Sequence, residues 1–397
     1  MSKNAQNRLF FFDFHLLNLV FVIVLIASIF SFCFFLMNPT LIAGSDFVSY
    51  RTGAEILLGE DRKNLYDIST QAKYQKEELD LLGRKVLPFR NPSPIALLFM
   101  PFAFLPEIWA YRLFAIANLA ILVFAVQLFG KSIFRKPNQY IYWVALTFWP
   151  VISTIITGQI SILLLVLFAY MYIFLETNKP FQLGIVSSLL LLKPQYVIFL
   201  PFLFLLTNLK GKYLKGLFLG GLMLLLLTVL ISGVEFLWRY PKFLMATESP
   251  TYGSHIKSYV GFSSFLQNIG TNFNLPSYLP FILNAMAYFF MLFIFARYVR
   301  KKNLGLLYSS AIIFTLIFSI HTWIHDLVLL LIPMFVILQK MTEKSVKGKK
   351  ILFALFLILF LLFLILDSNL KDTAPFILFA VGVIFLRLNV AKVVESR

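Results

Sequence analysis

Apolar and polar positions fall along this chain in long blocks. Apolar runs occupy about residues 15–37, 107–130, 139–157, 159–176, 182–192, 194–208, 216–234, 277–297, 304–320, 326–339, 351–366 and 374–387, with polar segments between them. The first run has no acid and no Lys or Arg over 23 residues. As a helix it covers a hydrocarbon layer of ~30 Å. It is too long for a signal-peptide core and lacks a small-residue cleavage site, so it predicts a first membrane span. The whole pattern predicts an all-α polytopic membrane protein with about 12 transmembrane helices, one for each run. Two stretches fit less well. Residues 92–106 (PSPIALLFMPFAFLP) are apolar but short and Pro-rich, which predicts a re-entrant or interfacial hairpin. Residues 182–192 reach only about half of the bilayer at ~1.5 Å per residue, so the LKPQY that ends them is expected in a sheltered cavity.

Composition agrees with this class. Apolar residues make up 60% of the chain, charged residues only 13%, and 46 residues are Phe, more apolar surface than a soluble core buries. Mean hydropathy is +0.84. The net charge of +17 resembles a nucleic-acid signal until the charges are placed. With the N-terminus inside, the inner segments carry 21 Lys and Arg against four acids, and the outer segments carry 12 of each sign. Glu107, Arg112, Lys193 and Asp326 cancel. The excess therefore lies on one face, as expected for cytoplasmic loops, and no nucleic-acid partner is needed. Both termini are then cytoplasmic. Cys33 is the one cysteine and lies inside an apolar run, which leaves no disulfide framework and no thiolate metal site.

No linker, low-complexity tract or internal repeat divides the chain, so a single domain over residues 1–397 is expected. Two outer loops are long. Residues 38–90 hold helix-like stretches at 46–58 and 69–81, interfacial by this topology, and residues 235–276 are polar with Trp238, Tyr252 and Tyr259. Loops of this length are where a site can be built. Several polar residues stand where facing lipid is expensive. Lys193 ends a half-span, Asp326 opens a span, His321 and His325 are four apart, and Gln159 follows Gly158 at a turn. By the topology above all lie at outer span ends, where they can converge with Asp46 and Arg51 on one cavity. Each also has a plain structural reading. Lys193 can snorkel, Asp326 can cap a helix, the histidines can be satisfied interfacial residues, and Asp46 can simply start an interfacial helix. The His pair lacks a Glu or Cys partner beyond the adjacent Asp326, so metal is not indicated, although Asp46 and Asp326 can in principle share a divalent cation. No phosphate-cradling Gly-rich loop or nucleophile elbow is present, which argues against a soluble nucleotide domain.

In order along the chain, SDFVSYRTGAEILLGEDRKNLYD, NPSPIALLFMPFAFLP, TGQISILLL, LLLLKPQY and HTWIHDLVLLLIP resemble glycosyltransferase family 87, which includes polyprenyl-phosphate-mannose-dependent α-mannosyltransferases of the GT-C superfamily. The resemblance runs from about Asp46 to Pro333. It implies a GT-C fold in a bacterial plasma membrane with an extracytoplasmic active site and no cofactor. The donor it implies is a polyprenyl-phosphate-linked sugar such as mannose, and the acceptor a lipid or glycan. The acid of the first outer loop, here Asp46, acts in that family as general base for an inverting transfer. Lys193, His325 and Arg51 are the candidates for the donor phosphate, with His325 matching a family histidine; Gln159, Gln195, Asp326 and His321 are the candidates for sugar or acceptor. A secondary transporter or lipid flippase would share the spans, broken helices and buried charges. The missing repeat and the acid-bearing outer loop favour the enzyme, and a different sugar on the same kind of donor stays open.

Overall fold

Where an apolar run is long and free of interior proline, the chain forms one unbroken helix. The computed structural model describes residues 19, 22, 23, 25–76, 80, 86–134, 140–248, 252, 259–299, 303–342, 349–362 and 371–394. Among them every regular element is helical. Glu107–Ile133 is a single helix of 27 residues, Lys210–Ser232 one of 23 and Leu279–Tyr298 one of 20; with Ile324–Met341 these four are long and apolar enough to cross a membrane. Lys210–Ser232 begins before the predicted run and takes Lys210, Lys212 and Lys215 into its first turns. Lysine is a good helix former whose stem can lie along apolar surface. Phe218, Leu230, Phe289 and Phe290 stand exposed on two of these helices, as lipid-facing residues do.

Ala374–Val394 is one further helix of 21 residues, and several of the other apolar helices are shortened by proline or tight turns. The run 139–157, read as one span, is broken at Phe148 into Tyr140–Thr147 and Trp149–Ile156. Phe148 is extended, and Pro150, which has no N–H to give, sits in the first turn of the second piece. Residues 182–192 form the end of helix Pro180–Ser188 and a 3-10 turn, Leu189–Leu192, and a second 3-10 segment, Pro194–Phe199, starts directly after Lys193. The half-span and its interruption at LKPQY are thus as read. Residues 92–106 form helix Ser93–Ala103, with Pro101 inside it, and then turn at 104–106 into the 27-residue helix. Its 11 residues rise ~16 Å at ~1.5 Å each, too little to cross. The stretch 46–58 is helix Phe47–Leu58, whereas the helix expected at 69–81 runs from Ile68 to Tyr74, and most of 77–85 lies outside the described residues. The second long loop carries two helices, Phe236–Thr247 and Phe262–Asn272.

Close approach between Pro180–Ser188 and Lys210–Ser232 depends on small residues. A Cβ on Gly184 would lie 2.2 Å from the Tyr213 carbonyl oxygen, one on Gly216 would lie 2.1 Å from the Phe181 oxygen, and one on Gly220 would meet Ser188 Oγ at 2.3 Å. In lipid, where tails compete with side chains for apolar contact, such backbone proximity is what holds helices together. A second cluster surrounds the helix Phe47–Leu58. The Phe47 ring is fully buried against Phe114 (5.2 Å between centroids), Tyr111 (5.6 Å) and Phe99 (6.0 Å). Tyr50 stacks on Phe99 at 4.6 Å and 9°.

The glycine contact yields an internal comparison on one helix. Gly216→Ala is expected to cost about 1–3 kcal/mol through overpacking. Gly211→Ala, which meets nothing within 4 Å, should be neutral or slightly stabilising. Thermal unfolding of the two variants in the same detergent would check this, and equal midpoints would refute the packing account.

Candidate active site

Three contacts between distant segments fix Asp46. It stands at the N-cap position of Phe47–Leu58, yet its side chain makes no capping bond, which leaves the carboxylate for other partners. Its backbone N–H donates to Thr157 O at 2.9 Å. Gly158, at φ +69°, presses against Phe47, where a Cβ would come within 2.5 Å of the Phe47 Cβ. Only glycine meets both the left-handed conformation and the space. That turn aims Gln159, whose Nε2 donates to Asp46 Oδ2 at 2.7 Å. Tyr50, one helical turn after Asp46, donates its hydroxyl to Gln159 Oε1 at 2.8 Å. Burial and the nearby Asp46 charge hold the Tyr50 phenol well above its ordinary value of 10, so it remains a donor.

Two residues further along the same turn, Ser161 begins a second network. Lys193 Nζ donates to Asp326 Oδ1 at 2.6 Å and to Ser161 Oγ at 3.1 Å, and Ser161 Oγ donates to the same carboxylate oxygen at 3.1 Å. Asp326 Oδ2 accepts the backbone N–H of Trp323 at 3.0 Å, so Trp323 is the N-cap residue and Asp326 closes the cap from the third helical position rather than serving as the cap itself. Both charges are nearly removed from solvent, Lys193 at 5% and Asp326 at 0% exposure, so each is tolerable only because the other is there. His325 Nε2 lies 3.6 Å from Asp326 Oδ1, and the His325 carbonyl accepts from Thr154 Oγ1 at 3.1 Å.

Asp46, Gln159, Lys193, Gln195, His321 and His325 all line one cavity of about 650 Å³. Six of the eight predicted residues therefore converge. Arg51 is not among the lining residues: its guanidinium pairs with Glu55 at 2.8 Å and donates to Leu105 O at 3.3 Å. Asp326 is not a lining residue either, being fully buried beside Lys193. Both long loops form walls. Tyr66 packs on Tyr240 (5.0 Å), Phe236 and Phe243, Tyr240 donates to Arg90 O at 2.9 Å, and Arg90 donates to the carbonyls of Thr247 and Tyr252. Val260 N–H donates to Thr322 O at 2.7 Å, and Tyr259 O–H to Glu248 Oε1 at 3.1 Å. His321 Nε2 is 3.7 Å from the same Glu248 oxygen; burial pushes its pKa below 6.5, while Glu248 acts in the opposite direction. Among the described residues no group of three or more His, Cys, Asp and Glu is placed to hold a metal ion.

A family description matches residues 89–319, more than half of the chain, and it is that of glycosyltransferase family 87. The chain belongs to glycosyltransferase family 87. No curated protein and no solved structure matches it. A family 87 member moves a sugar from a donor to an acceptor, and the apolar helices place this one in a membrane. The matched range includes Arg90, Gln159, Ser161, Lys193, Gln195 and Glu248. Asp46, Tyr50 and His325 lie outside it and are brought to the same cavity by contacts in space. Tyr50, Arg90, Ser161, Glu248 and Trp323 were not singled out from sequence. Tyr50 had a signal, since it follows Asp46 at the four-residue spacing that puts both on one helical face. Ser161 and Trp323 had none, because their roles depend on partners far along the chain.

The buried pair yields a stability test. Lys193→Met alone leaves the Asp326 charge uncompensated and is expected to cost about 3–5 kcal/mol. Lys193→Met with Asp326→Leu should recover much of that loss. Thermal midpoints of the single and double variants in detergent would decide it, additive losses being the result against the pair.

Proposed function

We propose that this family 87 enzyme transfers a hexose, mannose by the family resemblance, from a polyprenyl-phosphate donor to a lipid or glycan acceptor, with inversion and with Asp46 as general base. The observation that carries the proposal is that Asp46 shares one cavity with Lys193 and His325 and that, among the described residues, Gln159 engages only its Oδ2. The other oxygen is then available to an acceptor hydroxyl. As that oxygen attacks the anomeric carbon, its proton passes to Asp46, the bond from the anomeric carbon to the phosphate oxygen breaks, and the electron pair leaves with the phosphate. Negative charge grows on the departing oxygen. Lys193 has three N–H donors, two of them on Asp326 and Ser161, so one remains for that oxygen, and His325 supplies a further donor in the same cavity. Gln195 and His321 line the cavity as hydrogen-bonding partners for sugar hydroxyls, with the uncommitted N–H of Gln159 beside them. The proposed pairing of Arg51 with phosphate would require it to leave Glu55, and a sugar contact for Asp326 would have to pass through Lys193.

Membrane placement fits a donor with a prenyl tail. We infer a single GT-C domain with about 12 apolar segments at membrane depth, the loops 38–90 and 235–276 outside, and both termini cytoplasmic in a bacterial plasma membrane. In support, the spanning-length helices carry their basic residues (Lys131, Lys210 to Lys215, Arg297 and Lys340) at the ends away from the segments that line the cavity. The cavity rim includes Leu244, Met245 and Ile320, an apolar margin along which a prenyl chain can lie while its head group enters.

Two measurements test these readings. Purified protein in nanodiscs, given polyprenyl-phosphate-mannose and a lipid acceptor, is expected to lose transfer by about 10³-fold or more on Asp46→Asn while retaining donor binding. An active Asp46→Asn enzyme excludes the base assignment. For topology, Lys131→Cys in a Cys33→Ser background should resist an impermeant thiol reagent applied from outside and react once the membrane is opened; labelling from outside would invert the arrangement.

A further inference from the structure

Gln159 is oriented by more than its own contact with Asp46. A glutamine amide presents either its oxygen or its NH₂ to a neighbour, and the two faces have nearly the same shape. Only the NH₂ face suits a carboxylate; the oxygen face would set two acceptors against each other. Tyr50 adds a second anchor at the other end of the amide. Its hydroxyl donates to Gln159 Oε1, so the oxygen that the carboxylate turns away has its own partner and the amide is pinned at both ends. Tyr50 itself is fixed by the stack on Phe99 and is 3% exposed, and Gln159 is 9% exposed, so neither partner is easily replaced by water.

We propose that Tyr50 and Gln159 form a positioning pair: Tyr50 anchors the Gln159 amide in the orientation that the carboxylate selects, and Gln159 holds one Asp46 oxygen so that the other faces the acceptor hydroxyl. This rests on the assignment of Asp46 as base. Gln159 is thereby a positioning residue for the carboxylate ahead of any contact with the sugar. A neutral amide suits this place, because a Lys or Arg there would bind the carboxylate as an ion pair and lower its basicity. A carboxylate free to rotate would spend part of its time with neither oxygen aimed at the acceptor, and a misplacement of about 1 Å can cost about 10²-fold in rate.

The test uses full-length enzyme in nanodiscs with polyprenyl-phosphate-mannose and a lipid acceptor. Gln159→Leu is expected to lower kcat about 10²-fold and Tyr50→Phe about tenfold, the latter with little change in the donor KM. Tyr50→Phe keeps the ring stacked on Phe99, so it reports even where Gln159→Leu folds poorly. Because Tyr50 acts through Gln159, the double variant should be no slower than Gln159→Leu alone. In an Asp46→Asn background neither substitution should reduce the residual rate further. A Tyr50→Phe enzyme with kcat within twofold of wild type, multiplicative losses in the double variant, or a loss confined to the donor KM would each overturn the pair. Loss of activity in Asp46→Asn with Tyr50→Phe unaffected would remove the positioning pair alone, whereas an active Asp46→Asn would remove the base assignment beneath it.

Discussion

The turn at residues 157–161 is the constraint on which the site depends. In five residues it gives a carbonyl to the Asp46 N–H, presents the side-chain-free Gly158 to Phe47, aims Gln159 at the Asp46 carboxylate and puts Ser161 on the Lys193–Asp326 pair. The pieces it joins come from three other parts of the chain. Gly158 permits this because its positive φ reverses the chain between Trp149–Ile156 and Ser161–Glu176 within a few residues. Any side chain there would push Phe47 out of its aromatic pocket, and Asp46, its neighbour, would move with it.

The surroundings explain why such rigidity is built from these groups. In a sheltered cavity a lone charge is expensive, whereas a paired charge or a neutral amide is tolerable. The protein uses both solutions a few residues apart: an ion pair for Lys193 and Asp326, and an amide with a phenol for Asp46. The bulky aromatic packing around Phe47 and Tyr50 accounts for part of the chain's unusual content of Phe. Rings fix backbone position through area and shape without adding polar groups that would need partners.

The sequence carried much of this and left out a definable remainder. The apolar blocks located most of the helices, and the shortness of 182–192 pointed to the interruption at Lys193. Residues chosen because they were polar at span ends converged well, since cost in lipid is a property of the residue alone. What local pattern could not supply was partnership. Arg51 looked as available as Lys193, but a helix brings Glu55 to it one turn later. Asp326 looked like a cavity residue, but Lys193, which covers it, is 133 positions away. The break at Phe148 was hidden because Pro150 lies in a run whose hydropathy reads as continuous.

Those two carboxylates also show why position in a motif is a weaker guide to chemistry than what each oxygen touches. Asp326 is the more buried, but Oδ1 receives Lys193 and Ser161 and Oδ2 receives the Trp323 N–H. To accept a proton from a substrate it would have to give up a strong bond to a buried cation, and its exposure of 0% leaves no path to it. Asp46 has one neutral donor on Oδ2 and lines the cavity. A base must hold its charge loosely enough to exchange it for a proton, and must reach the atom that yields that proton. Of the two acids only Asp46 lines the cavity, so under the proposed mechanism it is the one able to serve as base, while the tight pairing of Asp326 keeps the Lys193 ammonium beside the cavity.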